Sequence, residues 1–408
     1  MPADSGYVIV GASLAGAKAA ETLREEGFDG PVTLIGTEPH RPYERPPLSK
    51  GLLLGDAEES SVFVHDEGWY GEHQVDLRLG ITAEAIDRAA HQVRLSDGSS
   101  VGYARLLIST GASPRRLKAP GADLGGVLYL RTVDDSLALR DALKGGGRVV
   151  IAGAGWIGLE TAAAARKYGC EVTVVEPDPG ALHRSVGPEI GAVFAKLHES
   201  HGVTFRFGTG VSELVGAGGQ VSGVITSSGA ELPAQLVVIG IGAVPNTQLA
   251  ADAGLEVDNG ILTDEKMTTS DPDVFAAGDV ANSFNPLLGR RIRVEHWGNA
   301  LAGGPAAARA MLGQDVSYDL VPYYYSDQYD LGMEAAGVPA PGTYDEVVFR
   351  GDKDSLEFIA FWLSGGAVVA GMNVNVWDVN DDIQALIRSG RQVDTGRLAD
   401  PSVPLAGL

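Results

Sequence analysis

The sequence predicts an α/β protein in which two βαβ units are followed by a smaller α+β domain. Three observations support this fold class. An apolar strand, a glycine-rich turn, an alanine-rich helix and a second apolar strand follow one another within residues 7–38 and again within residues 148–176. Alternating, strand-like segments follow Pro322. The length of 408 residues exceeds what one compact core usually holds, so two or three domains are expected.

The first βαβ unit has a glycine-rich turn that could bind a phosphate. Its predicted elements are the strand Tyr7–Val10, the turn Gly11, Ala12, Ser13, Leu14, Ala15 and Gly16, a helix from Ala17 to Gly27, the strand Val32–Ile35 and then Glu38. Ser13 stands where a dinucleotide-binding turn usually has its middle glycine. A small side chain still leaves room for a phosphate, but an ordinary parallel-sheet unit is the alternative for this segment alone.

The next segment, residues 41–50, is rich in proline and carries Arg45 and Lys50. The prolines stiffen the chain and exclude a helix before Leu48. A rigid loop that presents Arg45 and Lys50 suits a phosphate or an electron-rich ring, and a stiff surface loop is the alternative. Further on, Asp97 and Gly98 predict a hairpin turn. A buried strand from Leu106 then leads into Thr110 and Gly111.

The second βαβ unit carries the complete dinucleotide-binding pattern. Gly153 permits a tight turn, Gly155 lets the backbone approach a pyrophosphate, and Gly158 lets the helix and strand pack closely. Glu176 ends the second strand, at the offset where an acid accepts hydrogen bonds from a ribose. Because strand, helix, strand and terminal acid are all present, a Rossmann-like nucleotide site is favoured over a glycine turn that serves packing alone.

Two later segments complete the pattern. An apolar strand from Leu236 leads to Gly242 and Asn246, and the strand Asp273–Ala277 leads to Gly278 and Asp279. The second segment is suited to a cofactor hydroxyl chain, although a common turn explains it equally well. In the tail we predict strands at Glu346–Arg350, Leu356–Leu363 and Ala367–Asn373, and a helix from Asp378 to Ser389. Tyrosines 323, 324, 325 and 329 are typical of a core or an interface.

Composition excludes several classes of function. The net charge of −22 argues against nucleic acid and anionic membranes as general partners. Cys170 is the only cysteine, so neither an intramolecular disulfide nor a C-x-x-C centre can form, and it is expected to be a small buried hydrophobe. No secretory signal, membrane span or metal site is predicted, and a cytoplasmic location is expected.

Taken together, these motifs resemble the putidaredoxin reductase-like family of FAD-dependent NADH:ferredoxin reductases, which serve oxygenases. The motifs occur in the family's order from end to end. They are Gly11–Gly16, Arg45–Lys50, Thr110-Gly111, Gly153–Glu160, Gly242–Asn246, Ala276–Asp279, Glu295–Asn299 and Ser326–Tyr329. The resemblance implies a glutathione-reductase-like architecture. It places an FAD-binding domain at residues 1–113 and 245–321, an NADH-binding domain at 114–244 and a C-terminal domain at 322–408.

The resemblance also assigns roles to residues. Glu38 would hold the FAD ribose, Lys50 would lie beside the flavin ring, and Glu160 would face the nicotinamide and pair with Lys50. Tyr325 stands where one member of the family has a tryptophan near the partner-docking face, which puts a role for an indole there in doubt. The other implied cofactor-binding residues are Gly11, Ser13, Leu14, Ala15, Gly16, Arg45, Ala83, Thr110, Gly111, Arg131, Gly153, Gly155, Trp156, Ile157, Gly158, Glu176, Gly242, Gly278, Asp279, Glu295, His296 and Trp297.

The implied activity is transfer of hydride from NADH to FAD, followed by single-electron transfer to a small acidic iron–sulfur ferredoxin. That ferredoxin would supply a cytochrome monooxygenase or a Rieske-type dioxygenase. A disulfide reductase or cysteine-based peroxidase shares the fold but needs a cysteine near the flavin, and Cys170 falls in the other nucleotide domain. An NADH oxidase and a redox-signalling flavoprotein resembling apoptosis-inducing factor remain alternatives.

An acidic ferredoxin needs a local positive surface on so acidic a protein. The tail from Pro322 is itself acidic, with five Lys and Arg against thirteen Asp and Glu. The stretch from Phe284 to Arg309 instead holds four arginines and one glutamate. We therefore predict that ferredoxin docks near Arg290, Arg291 and Arg293, the alternative being that these arginines balance nearby carboxylates.

Overall fold

The structure, a computed structural model, describes residues 6–408. The residues before Gly6, in which no secretory signal is expected, lie outside the described residues. Within this range the α-helices are α1 (Leu14–Glu25), α2 (Gly51–Leu54), α3 (Trp69–Glu72), α4 (Val133–Lys144), α5 (Trp156–Lys167), α6 (His183–Ser200), α7 (Gln248–Asp252), α8 (Trp297–Met311), α9 (Asn380–Ser389) and α10 (Thr395–Ala399). Short 3-10 helices span Pro46–Ser49, Glu59–Val62, Gly278–Val280 and Leu405–Gly407.

The strands follow the same chain order. They are β1 (Gly6–Val10), β2 (Val32–Gly36), β3 (Val75–Leu79), β4 (Ala83–Asp87), β5 (Gln92–Leu95), β6 (Ser100–Ile108), β7 (Ala112–Pro114), β8 (Val127–Leu128), β9 (Arg148–Ala152), β10 (Glu171–Glu176), β11 (Val203–Phe207), β12 (Val211–Ala217), β13 (Gln220–Thr226), β14 (Glu231–Pro233), β15 (Leu236–Ile239), β16 (Ala243–Pro245), β17 (Ile261–Thr263), β18 (Val274–Ala276), β19 (Ala281–Asn285), β20 (Arg290–Ile292), β21 (Tyr323–Gln328), β22 (Leu331–Gly337), β23 (Glu346–Asp352), β24 (Glu357–Ser364) and β25 (Ala367–Val374).

The chain forms two compact units. The first contains the residues up to Glu44, Ser60–Ser113 and Val244–Pro322, and the second contains Arg45–Glu59, Pro114–Ala243 and Tyr323–Leu408. The proline-rich segment is therefore divided: the residues up to Glu44 belong to the first unit, and those from Arg45 pack with the second βαβ unit. The three domain boundaries that the resemblance implies remain a prediction.

The first unit is built on a parallel sheet in the order β3-β2-β1-β6-β18. The first residues of β6 pair with β5 in an antiparallel hairpin, whose turn is the predicted one at Asp97 and Gly98. Strand β4 then pairs with β5. Apolar side chains of β1, such as Ile9, and of α1, such as Leu23, are fully buried against each other. Burial on both faces is why these strands are continuous apolar runs in the sequence.

The second unit contains a parallel sheet in the order β11-β10-β9-β15-β8 and an antiparallel tail sheet in the order β21-β22-β25-β24-β23. The two sheets share one hydrophobic core, because Ile151 and Phe194 belong to the same buried cluster as Trp362 and Met372. The tail is therefore packed into the second unit. The predicted fold class, α/β with two nucleotide-binding units and an α+β tail, is confirmed.

Several predicted boundaries need correction. Helix α1 begins at Leu14, three residues before the prediction, so Leu14, Ala15 and Gly16 form its first turn. The exclusion of a helix before Leu48 is wrong, because a 3-10 helix begins at Pro46. Proline is tolerated at the start of a helix, where its missing N–H would have no partner in any case.

The tail was only partly predicted. The three predicted strands and the helix are confirmed within about two residues of their ends. Strands β21 and β22 were missed, because the tyrosine cluster was read as a packing feature without assigned secondary structure. No helix between Gly6 and Leu408 is long and apolar enough to cross a membrane.

Candidate cofactor and electron-transfer site

The glycine turn of the first unit has the geometry of a phosphate cradle. Gly11 has a φ of +122°, and a Cβ there would come within 2.1 Å of the Ser109 carbonyl oxygen. A Cβ on Gly16 would come within 2.0 Å of the Gly11 carbonyl oxygen. In the described chain Ser13 makes no side-chain cap to α1, and the first turn of α1 carries no acid. The helix N-terminus therefore presents N–H groups and a positive dipole end to an anion.

Glu38 follows β2, at the same edge of the sheet as this turn. Its carboxylate accepts a hydrogen bond from the Tyr43 hydroxyl, and its backbone oxygen accepts from the Gly80 N–H at 3.1 Å. Ala83 begins β4 soon after that contact. A carboxylate held at the carboxyl end of the second strand is suited to a ribose diol. Tyr43, which orients it, was not identified from the sequence.

Thr110 and Gly111 also lie past the carboxyl end of a parallel strand, β6. The Thr110 hydroxyl donates to the Asn246 carbonyl oxygen at 2.9 Å, and the Asn246 amide donates to the Thr110 carbonyl oxygen at 2.8 Å. This reciprocal pair joins two motifs that are 136 residues apart in sequence. Gly111 has a φ of +66°, which favours glycine at this turn.

The motif after β18 lies beside the start of α8. Gly278 has a φ of +77°, and a Cβ there would be 3.2 Å from the Cβ of Ala15. Asp279 follows in a 3-10 helix. His296 is the N-cap residue of α8 and Trp297 is its first residue. Burial lowers the pKa of His296 to about 4, so its ring is neutral near pH 7.

The glycine turn of the second unit repeats the first. In both turns the first glycine donates its N–H at 2.8 Å to a carbonyl on the second strand, Gly11 to Ile35 and Gly153 to Val175. Gly153 has a φ of +104°, and a Cβ on Gly158 would come within 2.1 Å of the Gly153 carbonyl oxygen. These two positions therefore require glycine for internal reasons.

Gly155 differs from Gly153 and Gly158. Among the described residues, no other part of the structure lies within 4 Å of the position that a Cβ on Gly155 would occupy. Packing therefore does not require glycine at this position. Ile157, in the first turn of α5, is 43% exposed although it is a large apolar residue. Open space at the middle glycine and an uncovered apolar residue beside it fit a bound dinucleotide. Trp156 instead packs edge-on against Phe194 and Tyr324.

Glu176 lies at the end of β10 and holds the glycine turn in place. One carboxylate oxygen accepts from the Ala154 N–H at 2.8 Å, and the other accepts from the Asp178 N–H at 2.8 Å. Arg184, from the start of α6, was not identified from the sequence and pairs with Asp178 at 2.6 Å. The Arg184 guanidinium therefore lies close to Glu176, the acid that would contact the ribose, but it is paired with Asp178.

Lys50 and Glu160 form a buried ion pair, as the resemblance implied, with Nζ 2.8 Å from Oε1. The Lys50 side chain is 13% exposed and that of Glu160 is 3% exposed. Ser49 donates to the other carboxylate oxygen, and Ser326 donates to Oε1 at 2.7 Å. Burying a carboxylate requires such donors, so this cluster is a built polar site inside an apolar region.

Lys50 also lies over the ring of Tyr325, with Nζ 5.2 Å from the ring centroid. Tyr325 thus contacts the ion pair through a cation–π interaction. Arg45 donates to the Arg131 carbonyl oxygen, and Arg131 precedes the capping box of α4. Gly242, with a φ of +99°, accepts from the Arg115 N–H at 2.8 Å.

The predicted site residues divide between the two units. The first unit holds Gly11, Ser13, Leu14, Ala15, Gly16, Glu38, Ala83, Thr110, Gly111, Gly278, Asp279, Glu295, His296 and Trp297. The second unit holds Arg45, Lys50, Arg131, Gly153, Gly155, Trp156, Ile157, Gly158, Glu160, Glu176 and Gly242. Within each unit, the glycine turn and its terminal acid lie at one edge of a parallel sheet. That is where α/β sheets bind nucleotides.

The predicted docking arginines differ in how they are engaged. Arg290 is exposed at the start of β20. Arg291 donates to the carbonyl oxygens of Thr263 and Asn282. Arg293 pairs with Glu295, and its side chain is only 13% exposed. For Arg293, the alternative that it balances a nearby carboxylate is what the structure shows.

Two glycine turns, each followed by an acid after the next strand, have a geometry that suits two dinucleotides. The chain belongs to the pyridine nucleotide-disulphide oxidoreductase family, whose model matches residues 5–304. A second family model, described as the reductase C-terminal domain, matches residues 323–408. The family resemblance predicted from the sequence is therefore confirmed.

Relatives and solved structures agree over the whole chain. The ferredoxin–NAD(+) reductase component of the anthranilate 1,2-dioxygenase system of Burkholderia cepacia is 43% identical over 401 residues, 98% of each chain. A crystal structure of a ferredoxin reductase from Rhodopseudomonas palustris matches with a TM-score of 0.95 and 35% identity, covering 99% of each chain. A covalent putidaredoxin reductase–putidaredoxin complex matches with a TM-score of 0.94 and 36% identity, covering 99% of this chain and 98% of that one.

The family's name includes disulfide chemistry that this chain cannot perform with its own residues. Cys170 is the only cysteine in the sequence and is fully buried. Its sulfur contacts the Leu143 carbonyl oxygen at 3.5 Å, and burial raises the pKa of its thiol. A neutral, buried thiol is unreactive, so its predicted role as a small hydrophobe is supported.

Proposed function

We propose that this protein is an FAD-dependent NADH:ferredoxin oxidoreductase that supplies electrons to an oxygenase. The observation that carries the proposal is the buried Lys50–Glu160 pair in a chain with two dinucleotide cradles and one cysteine. A disulfide reductase would need a cysteine pair at this point. The relative named as the ferredoxin–NAD(+) reductase component of a dioxygenase system supports the same acceptor.

The two cradles fit different nucleotides in this proposal. The turn at Gly11–Gly16, with Glu38, is assigned to FAD, and the turn at Gly153–Gly158, with Glu176, is assigned to NADH. FAD would supply the exchange between a two-electron donor and one-electron acceptors. The protein would contribute binding, orientation and electrostatics. Lys50 would offer a fixed positive charge where reduction adds negative charge, and Glu160 would keep the ammonium group in place.

The proposal is tested by steady-state oxidation of NADH against a panel of purified ferredoxins, with cytochrome c as the final reporter. We expect rapid turnover that depends on ferredoxin and little oxygen consumption in its absence. Oxygen uptake equal to the NADH oxidised would instead identify an NADH oxidase. Slow turnover with every ferredoxin would favour a redox-signalling flavoprotein.

The purified protein is expected to be yellow and to contain about one FAD per chain. The reason is that the first unit presents one glycine cradle and one ribose-binding acid to a flavin nucleotide. The ratio of FAD to protein is measured by releasing the flavin from a known amount of protein and recording its absorbance. A folded sample that takes up no flavin, even from added FAD, would refute the proposed function.

Reversing the charge of Arg290 is expected to raise the Michaelis constant for an acidic ferredoxin about five-fold at low salt, as for the loss of one exposed ion pair. Arg290 is chosen because it is exposed, whereas reversing Arg291 would also remove hydrogen bonds to Thr263 and Asn282. The effect should fade at physiological ionic strength, where screening acts over about 8 Å.

Arg94→Glu is the matched control for Arg290→Glu. Arg94 belongs to the same unit but lies on β5, and its side chain is 61% exposed. Reduction of ferricyanide should be unaltered in both variants, because that small acceptor does not need the docking surface. If Arg290→Glu and the unmodified protein have the same Michaelis constant for ferredoxin at low salt, the docking surface lies elsewhere.

A further inference from the structure

A chain of buried hydrogen bonds leads away from the Lys50–Glu160 pair into the second unit. Beyond Ser326, the Gln328 amide nitrogen donates to the Ser326 hydroxyl at 3.0 Å. The Gln328 amide oxygen is 2.8 Å from His198 Nε2, and His198 Nδ1 is 3.2 Å from the Tyr329 hydroxyl. Ser326, Gln328 and His198 are each at most 1% exposed. Leaving one of these buried polar groups without a hydrogen bond would cost free energy of folding.

The donors of this chain all point toward Glu160. Because the Gln328 nitrogen donates to Ser326, its oxygen must accept, so His198 carries its proton on Nε2. Burial lowers the pKa of His198 to about 4, which leaves the ring neutral with Nδ1 as an acceptor. Burial also raises the pKa of Tyr329, so its hydroxyl remains a donor to Nδ1. The series ends on a carboxylate, where aligned donors reinforce one another.

The hydrogen-bonded residues lie on or beside three elements of the second unit, β21, α6 and α5. Ser326 and Gln328 project from the same face of β21, two residues apart, as strand geometry requires. His198 lies in the last turns of α6, and Glu160 lies in α5. The outer end is closed by His201, whose ring stacks on Tyr329 with 3.7 Å between centroids. The tail sheet is thereby connected to the ion pair by polar contacts as well as by apolar packing.

We propose that Tyr329, His198, Gln328 and Ser326 form a hydrogen-bond relay that positions the Glu160 carboxylate, and through it the Lys50 ammonium group. These four are positioning residues, since they act through Glu160. The tail domain would then set the geometry of the lysine–glutamate pair in addition to any part it has in partner docking. The inference rests on the proposed function only in assigning that pair a role in reduction by NADH.

Ser326→Ala removes the link next to Glu160 and is the central test. We expect the limiting rate of reduction by NADH to fall about 10-fold, the loss expected for one hydrogen bond to a charged group. The dissociation constant for NADH should be unchanged, because Ser326 makes no part of the glycine turn. Ser326→Thr, which keeps a hydroxyl, should restore most of the rate. Ser283→Ala removes another buried, hydrogen-bonded hydroxyl, in the first unit, and should leave the rate unchanged.

Nitrogen NMR of histidine-labelled holoprotein provides a readout apart from activity. His198 should appear as the Nε2–H tautomer, and its signals should move in Ser326→Ala and Glu160→Gln although neither residue touches its ring. They should not move in Ser283→Ala. An Nδ1–H tautomer, or His198 signals that do not change in Glu160→Gln, would overturn the relay.

An unchanged rate of reduction in Ser326→Ala, with Lys50→Met still impaired, would overturn the positioning role and leave the proposed function intact. An unchanged rate in both variants would count against the proposed role of the pair itself.

Discussion

Lys50→Met is expected to slow reduction of the bound flavin by NADH about 100-fold while leaving FAD bound. Removing one preorganised charge from a water-poor site costs about that much in rate. Lys50 is suited to this role because its ammonium group is fixed by Glu160 at 2.8 Å and is largely buried. The FAD content should persist, because the glycine cradle and Glu38 lie in the first unit. Stopped-flow absorbance after mixing with NADH measures the rate, and flavin absorbance measures occupancy.

The same variant leaves the Glu160 carboxylate without its cation, so stability must be measured alongside the rate. Breaking a buried pair by removing one partner destabilises more than replacing both. Lys50→Met/Glu160→Gln should therefore recover thermal stability without recovering the rate of reduction. Lys167→Met is the matched control, since Lys167 pairs with Asp56 in the same unit but its side chain is 45% exposed. Normal reduction by NADH in Lys50→Met would make the lysine purely structural.

NADH is expected to be used about 100-fold more efficiently than NADPH, which corresponds to roughly 2.7 kcal/mol. Glu176 would accept from the ribose 2′-hydroxyl, and its charge would repel a 2′-phosphate. Arg184 lies close enough to neutralise that phosphate, but it is paired with Asp178 at 2.6 Å. The ratio of kcat/KM for the two cofactors measures the discrimination directly.

Glu176→Gln is the sharper variant for this test, because the Glu176 oxygens also accept from the Ala154 and Asp178 N–H groups. Glutamine removes the charge and keeps one acceptor, so the preference should narrow mainly through improved use of NADPH. Glu176→Ala should also narrow it, but with weaker NADH binding as the glycine turn loosens. Asp178→Asn should also narrow the preference for NADH, because Arg184 would no longer be paired and could neutralise the 2′-phosphate of NADPH. A preference that survives in all three variants would mean that another part of the chain selects the cofactor.

Local sequence patterns were sufficient for the parts of the site that depend on backbone conformation. Gly11 and Gly153 were predicted as turn glycines, and both have positive φ with a carbonyl oxygen where a side chain would lie. Ser13 is tolerated because the middle position of such a turn need not be glycine for internal packing, as the open space around Gly155 illustrates. The terminal acid Glu176 was predicted from the spacing of strand, turn and helix, whereas the role of Glu38 was implied by the family resemblance.

Partners far apart in sequence were beyond the reach of such patterns. Nothing in the residues around Ser326 or His198 predicts that they join one hydrogen-bonded series, because their spacing along the chain carries no period. The Lys50–Glu160 pair was expected only through the family resemblance. Arg184 could not be linked to the nucleotide turn from sequence, because its proximity to Glu176 depends on its pairing with Asp178. Arg293 was offered as a docking residue because the sequence does not show that Glu295 engages it.

Short-range features of the sequence were enough to predict the α/β class and the two glycine turns, and the single cysteine excludes an intramolecular disulfide. Each of these depends on short-range periodicity, on backbone φ or on a count of residue types. The tertiary structure was needed to show that the chain from Arg45 to Glu59 packs in the second unit and that the tail shares its core. It also decided which donors surround Glu160. Those outcomes depend on burial, because an ionised side chain taken from water must find its partners wherever the folded chain brings them.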